Sequence, residues 1–256
     1  MNAPARGGRP GARALADGGA GRRSFVDLHC HTSASFDSLA SPASVARAAA
    51  GRGLTHLAVT DHGTIDGALA ARDAAPDGLT VLIGEEIKTR EGDLIAVFLS
   101  SAVPNGLPPR EAIAAVREQG GLLGIPHPFD RLRGSMGRTD GGRTGGDDLI
   151  ALSAEVDWIE AWNARILVGD GNVRAAELAA AHRIPGVAVS DAHTTVEVGV
   201  AATLLEGDPA TADGLRAALA GHIQLMTGRA SLYARLATPA AKLIKRARGD
   251  RARGAA

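Results

Sequence analysis

The chain has 256 residues with 28 basic and 28 acidic side chains, so it carries no overall basic field with which to grip nucleic acid. Hydrophobic residues make up 45% and aromatics 3%, which allows one good-sized domain whose core rests on Ala, Val, Leu and Ile. Cys30 is the lone cysteine, so no intramolecular disulfide can form, as suits a reducing cytoplasm.

Residues 1–23 are rich in Gly, Ala and Arg and lack both a hydrophobic period and the apolar core of a signal peptide; they read as a disordered N-terminal segment. One folded domain is expected over 24–235, and a basic C-terminal tail over 236–256. No apolar run approaches the ~20 residues of a membrane-spanning helix, and the expected location is cytoplasmic. In the domain, short apolar runs predict strands over 25–29, 56–60, 80–87, 94–99, 122–126, 158–162 and 186–190, with 202–205 as an eighth strand or an edge. Ala-rich segments between them predict helices over 42–52, 67–74, 109–119, 172–181 and 210–220. Ser41-Pro42 supplies a capping residue and a first-turn proline, and Gly120-Gly121 closes the third helical segment. This alternation implies an α/β fold with a mostly parallel sheet. Residues 131–148 are Gly- and Arg-rich and read as a long loop. In the tail, a helix would align Leu236, Ala240, Leu243 and Ala247 beside Lys242, Lys245, Arg246 and Arg248. A solvated, frayed terminus is expected there, with an anionic membrane surface or nucleic acid as the alternative partner.

Five of the eight histidines, His29, His31, His62, His127 and His193, fall at the C-terminal ends of predicted strands, where α/β proteins place their active sites. In H-x-H, His29 and His31 share one strand face and can present two nitrogens to one metal. Carboxylates occupy matching places: Asp37 after the first strand, Asp61 beside His62, Glu85-Glu86 after an apolar run, and Asp191 two before His193. A mixed His and carboxylate set suits Zn, Mn or Fe, and burying so many acids without cations would be expensive. Asp61 is expected either to orient a ligand or to serve a turn, and Asp27 to be structural or to support a ligand. Cys30, between two ligands, should face away from them, and Trp158 and Trp162, four apart on one strand face, should serve packing rather than base stacking.

The motifs are D-L-H-x-H-T at 27–32, T-D-H at 60–62, G-x-E at 84–86, His127-Pro128, E-x-x-N at 160–163 and S-D-A-H at 190–193. In this order they resemble the PHP family, named for polymerase and histidinol phosphatase. The resemblance implies a distorted (β/α)7 barrel of the PHP type in a single domain, with two or three divalent metals, Mn, Zn or Fe, at its C-terminal mouth. It implies His29, His31, Glu86 and Asp191 around one metal. Glu86, chosen over Glu85 by the G-x-E pattern, would bridge to a second metal also held by His127. Asp37, His62 and His193 would hold a third. Asp93 stands where family members often carry a histidine. The implied activity is hydrolysis of a phosphate ester, a small phosphomonoester or nucleotide, by hydroxide that bound metals make available near neutral pH. Glu86, Asp191 and His193 would lie at the centre of the chemistry; Arg131, close after His127, and Arg165, after Asn163, are expected to contact substrate, with a solvated loop arginine as the alternative, and Asn163 to contact substrate or support a ligand. The alternatives are an exonuclease on short oligonucleotides and a non-enzymatic metal-binding module. No stable nucleic-acid complex is expected, and the oligomeric state stays open.

Overall fold

The computed structural model describes residues 22–130, 135–136 and 146–249. In chain order the elements are β1 (Arg23–Asp27), α1 (Pro42–Gly51), β2 (His56–Val59), α2 (Asp66–Asp73), β3 (Thr80–Lys88), β4 (Asp93–Val97), α3 (Pro109–Glu118) and β5 (Leu122–Ile125). They continue as α4 (Gly146–Ser153), β6 (Trp158–Asn163), α5 (Gly171–His182), β7 (Gly186–Val189), β8 (Ala202–Glu206), α6 (Ala212–Leu219), β9 (Ile223–Met226) and α7 (Leu232–Ala247).

The strands form one nine-stranded sheet in the order β7-β6-β5-β4-β3-β2-β1-β8-β9. β1, β2 and β3 run parallel, as do β5, β6 and β7. β4 is antiparallel to both of its neighbours, and β8 is antiparallel to β1 and β9. The first and last of the seven expected strands meet. Beyond β1, Cys30 bridges Ala192 beyond β7 in a parallel sense. At the other end the Thr203 hydroxyl of β8 donates to the Ala188 carbonyl of β7, and the Ala188 N–H donates back, each at 2.9 Å. The result is a nearly closed barrel sheet, the α/β barrel expected from the motifs.

Local chemistry explains the boundaries. The Ser41 hydroxyl caps α1 by accepting from the Ser44 N–H at 3.3 Å, with Pro42 in the first turn. Gly120, at φ 75°, ends α3 in the left-handed region that only glycine adopts freely. The β3–β4 connection turns at Gly92, φ 150°, where an added Cβ would fall 2.6 Å from the Met136 side chain. This tight hairpin makes β4 antiparallel, a departure from a strictly alternating barrel.

Alternating side chains on the strands sort into separate core clusters. Val26, Leu28, Ala58, Leu82, Ile95, Leu122, Trp158, Val187 and Leu205 pack with Leu215 and Leu219 of α6. Leu94, Ala96, Leu123, Ile125 and Ile159 pack instead with Ala112, Ile113 and Val116 of α3 and with Leu149 and Leu152 of α4. Leu57, Val59 and Val81 pack on Val45, Ala46 and Ala49 of α1 and on Ala68 and Ala71 of α2. Cys30 belongs to this last cluster, turned away from its histidine neighbours as expected. Trp158 is fully buried, and its indole occupies the space a side chain on Gly124 would need: a Cβ there would sit 2.0 Å from Nε1. The ladder between β6 and β7 shifts register between Glu160 and Trp162, so the two tryptophans serve different packing clusters rather than one face.

Three elements depart from the expected pattern. α4 and β9 form where no element was expected. Up to Ala247 the basic C-terminal stretch is a helix rather than a frayed end; Ser231 caps it, and Pro239 lies inside it. Among the described residues no helix is long and apolar enough to cross a membrane.

Candidate metal centre

The carboxyl ends of the strands deliver the polar residues to one mouth of the barrel. His29 and His31 follow β1, and Asp37 lies in the loop from β1 to α1. His62 follows β2, Glu86 is on β3, and Asp93 opens β4. His127 follows β5, Glu160 and Asn163 are on β6, and Asp191 and His193 follow β7. All are buried except His62, which is intermediate. β1 itself ends at Asp27, two residues short of the expected limit. The two imidazoles of H-x-H nonetheless converge, because the segment stays extended through its bridge at Cys30 and the His31 N–H donates to the Ala192 carbonyl at 2.8 Å. His62 and Glu86 are joined by a similar bridge. His127 and Asp191 adopt positive φ, 26° and 51°. Both sit in sparsely populated backbone regions, which cluster at functional sites where surrounding structure enforces them.

The side chains form three overlapping donor groups with the spacing of metal sites: His31, Asp37, His62 and His193; His29, His31 and Glu86; and Glu86, Asp93 and His127. His31 is common to the first two groups and Glu86 to the last two, so the three are one continuous cluster. Nε2 of His29 lies 2.9 Å from Nε2 of His31, and each is 3.2 Å from Glu86 Oε2. Asp191 Oδ1 stands 3.7 and 3.6 Å from the same two nitrogens. Glu86 also reaches His62 Nδ1 at 3.4 Å and, through Oε1, His127 Nε2 at 3.3 Å. Asp37 Oδ2 lies 3.1 Å from His193 Nε2 and 3.4 Å from His62 Nε2. Glu85 points elsewhere, accepting from the Val103 N–H at 2.8 Å, and Glu86 is the one of the two adjacent acids that stands in the donor groups.

The electrostatics of this cluster call for cations. Burial opposes charge on His29, yet Asp191, Glu160 and Glu86 together outweigh it and hold its pKa well above the usual value. Burial is likewise outweighed at His62, raised to about 9 by Glu86, Asp37 and Asp93. Glu86 and Asp37 are held well below the usual carboxylate range, against burial, by the histidines around them. Burial and the neighbouring His193 and His62 push His31 down to about 4. In a neutral His29 the 2.6 Å bond to Glu160 puts the proton on Nδ1, because a carboxylate only accepts. The Nε2 lone pair then faces the acceptor oxygens of Glu86 and Asp191, a contact that only a proton or a metal ion makes favourable. Asp37 Oδ1 is buried without a hydrogen-bond partner among the described residues. The donor set therefore fits divalent metal ions.

A second layer fixes the donors, and most of it was not legible in the sequence. Glu160 holds His29 and accepts from the His127 N–H at 2.9 Å. The Asn163 amide donates to Glu160 at 2.8 Å and to Asp191 at 3.0 Å. The Ser35 hydroxyl lies 3.2 Å from His31 Nδ1 and accepts from the His62 N–H, while Ser135 contacts His127 Nδ1 at 3.2 Å. Such partners orient ligands and set their tautomers. Asp61 does not touch a ligand ring; it accepts from Thr32 N and Oγ1, both at 2.6 Å, and so serves the turn. Asp27 accepts from the Ser190 and Gly199 N–H groups and ties β1 to the segment after β7. The Arg165 guanidinium is buried against Glu197, 3.3 Å away, and donates to the Thr238 hydroxyl at 2.7 Å. Arg131 lies outside the described residues.

A family model described as PHP-associated (PHP_C) matches residues 169–221. An uncharacterized protein of Methanocaldococcus jannaschii is 34% identical over 150 residues, which cover 54% of this chain and 81% of that protein. Among solved structures, a two-domain protein from Bacteroides vulgatus containing a predicted PHP-like metal-dependent phosphoesterase matches with a TM-score of 0.67 at 18% identity, over 87% of this chain and 70% of that one. A lesion-specific endonuclease from Pyrococcus furiosus matches with a TM-score of 0.57 at 19% identity, over 80% of this chain and 58% of that one. At these identities the two structures establish a shared fold.

Proposed function

The chain belongs to the PHP family, and from that premise we propose that it is a metal-dependent phosphoesterase that hydrolyses a small phosphomonoester or nucleotide with two or three divalent ions at the barrel mouth. The observation that carries the reading is the continuous cluster in which His31 and Glu86 are each shared between donor groups. Glu86 is common to two donor groups, so ions held by both would lie close enough to act on one phosphoryl group. Bound ions of this kind supply a hydroxide nucleophile near neutral pH and offset the charge of a phosphoryl group in transfer.

The chain's own residues position this chemistry. His29, His31, Glu86 and Asp191 would hold one ion, and Glu86, His127 and Asp93 a second. Asp37, His62 and His193, with His31, serve the third. Glu160 keeps the His29 proton on Nδ1, and Asn163 holds Glu160 and Asp191 in register from one amide. His62 is the one of these donors that is not buried, with 17% of its side chain exposed, and substrate would reach the cluster from its side. In this reading Asn163 and Arg165 act by supporting the donors, and any guanidinium on the substrate comes from elsewhere, with Arg131 a candidate.

The likeness to a lesion-specific endonuclease favours a second reading, cleavage of short oligonucleotides. One experiment separates the two: phosphate release from monoesters and nucleotides against shortening of labelled oligonucleotides, after chelation and after reconstitution with Mn or Zn. Metal-dependent turnover of the first class alone supports the proposal, and turnover of oligonucleotides alone replaces it. A folded, metal-loaded protein inactive on both would be the non-enzymatic binding module.

A further inference from the structure

The C-terminal helix reaches the cluster by two independent routes. On one side Thr238 accepts from Arg165, whose guanidinium pairs with Glu197 at 3.3 Å. Glu197 in turn accepts from the His193 N–H at 3.1 Å and from the Thr194 hydroxyl at 2.9 Å. On the other side the Lys245 ammonium donates to the carbonyls of Ser33 and Ser35, in the loop that carries Asp37. Ser35 then contacts His31 and His62 through its hydroxyl. Lys242 strengthens the same route: its ammonium lies 4.9 Å over the Phe36 ring, which packs 4.9 Å from the His62 imidazole. The Ser38 hydroxyl closes the circuit by donating to the His193 carbonyl at 2.9 Å.

Both routes end on the same donor group. His193 lies at the end of the first, and His31, His62 and the Asp37 loop at the end of the second. Neither includes Asp93 or His127. A helix that merely covered the barrel would have no reason to select four donors out of the cluster. We propose that α7 is a positioning clasp for the His31–Asp37–His62–His193 group, holding its two loops at the spacing one metal ion needs, while the Glu86–Asp93–His127 group stands on the sheet without it. This rests on the metal reading of the cluster.

The test uses the full chain with Thr238→Val and Lys245→Met combined, which cuts both routes while leaving the strands intact. Chain and variant are stripped of metal and titrated with Co2+, following bound equivalents by elemental analysis and the visible absorption of the coordinated ion. The clasp predicts that one equivalent binds roughly tenfold or more weakly in the variant, the scale of losing a ligand's supporting hydrogen bonds, with the other equivalents unchanged. Amide exchange of residues 33–39 should quicken alongside. Leu243→Ser, on the exposed face of the helix, should leave both readouts unchanged. Equal affinity and stoichiometry in the double variant and the wild type overturns the clasp alone. Uniform weakening of every equivalent overturns it too, since it would mean general destabilisation. A wild-type chain that binds no Co2+ overturns the metal reading and the clasp with it.

Discussion

The histidine-rich end of the donor cluster, His31, Asp37, His62 and His193, is assembled by segments that follow β1, β2 and β7, whereas the carboxylate-rich end, Glu86, Asp93 and His127, sits on or beside β3, β4 and β5. The second end inherits its rigidity from the ladder in which Glu86 pairs with Ile95 and Lys88 with Asp93. The first has no ladder of its own, and its loops are tied down by side chains: Ser35, Ser38, Glu197, and through them Arg165 and α7. Donor chemistry differs in the same sense. Three imidazoles and one carboxylate suit Zn or Fe, while two carboxylates and one imidazole favour a harder ion such as Mn. One mouth thus joins a sheet-borne site to a loop-borne site through shared Glu86 and His31.

The sharpest way to break the comparison is at a shared residue. Glu86→Ala should lower metal-dependent phosphate release by roughly 10²–10³-fold, the scale of removing a group that stabilises charge in the transition state, and should deplete metal from the carboxylate-rich end and from the His29–His31–Glu86 group that joins it to the other, read by elemental analysis of the purified variant. Changes at one end should be selective. Asp93→Asn should weaken the carboxylate-rich end and spare the other, and His62→Ala should do the reverse, each by roughly 10–100-fold in affinity for the ion concerned. If both variants lose the same equivalent, the division into two ends is wrong. Glu160→Gln removes no donor but frees the His29 tautomer. Its effect should fall near the lower end of that same range, and its metal content at saturating Mn should match the wild type. Zn added below one equivalent should occupy the histidine-rich end before the other, which His62→Ala would reverse in a competition titration against Mn.

The smallest expected effect on function lies away from the mouth. Gly124→Ala drives a methyl into the Trp158 indole and should cost ~1–3 kcal/mol of stability by overpacking, measured by urea unfolding. Turnover per folded molecule should hold, because none of the donors packs on that indole. A loss of metal with retained stability would show instead that the apolar interior and the mouth are not independent.

Much of the site was legible in the sequence because most of the candidate donors, Asp37 and Asp93 apart, sit in short motifs at strand ends, where neighbours along the chain are neighbours in space. His29 and His31, or Asp191 and His193, needed no knowledge of the rest of the fold. Glu160 stood in a quoted motif, yet its partner His29 lies 131 residues away, and nothing local announces that pairing. Glu197 and Ser135 carry no motif and matter only through contacts made after folding. Arg165 reads along the chain as an arginine free to meet phosphate, but the folded chain brings Glu197 and Thr238 to it first. α4 was obscured by the glycines before it, and α7 by its proline and alanines, which leave a thin apolar pattern. The bulge between Glu160 and Trp162 likewise defeated the expectation that residues four apart on a strand share a face.

By itself the sequence determined the alternation of strands and helices through periodicity and caps, while the barrel class and the candidate donors followed from the resemblance of its short motifs to the PHP family. Tertiary structure alone decided which candidate donors come together, that β4 runs antiparallel, which acids and amides hold those side chains, and that α7 reaches Arg165 and the loop carrying Asp37. The physical reason is range. Propensity and spacing act over a turn or a strand, while coordination and hydrogen bonding act wherever folding brings two atoms within about 3 Å, regardless of how far apart they lie along the chain.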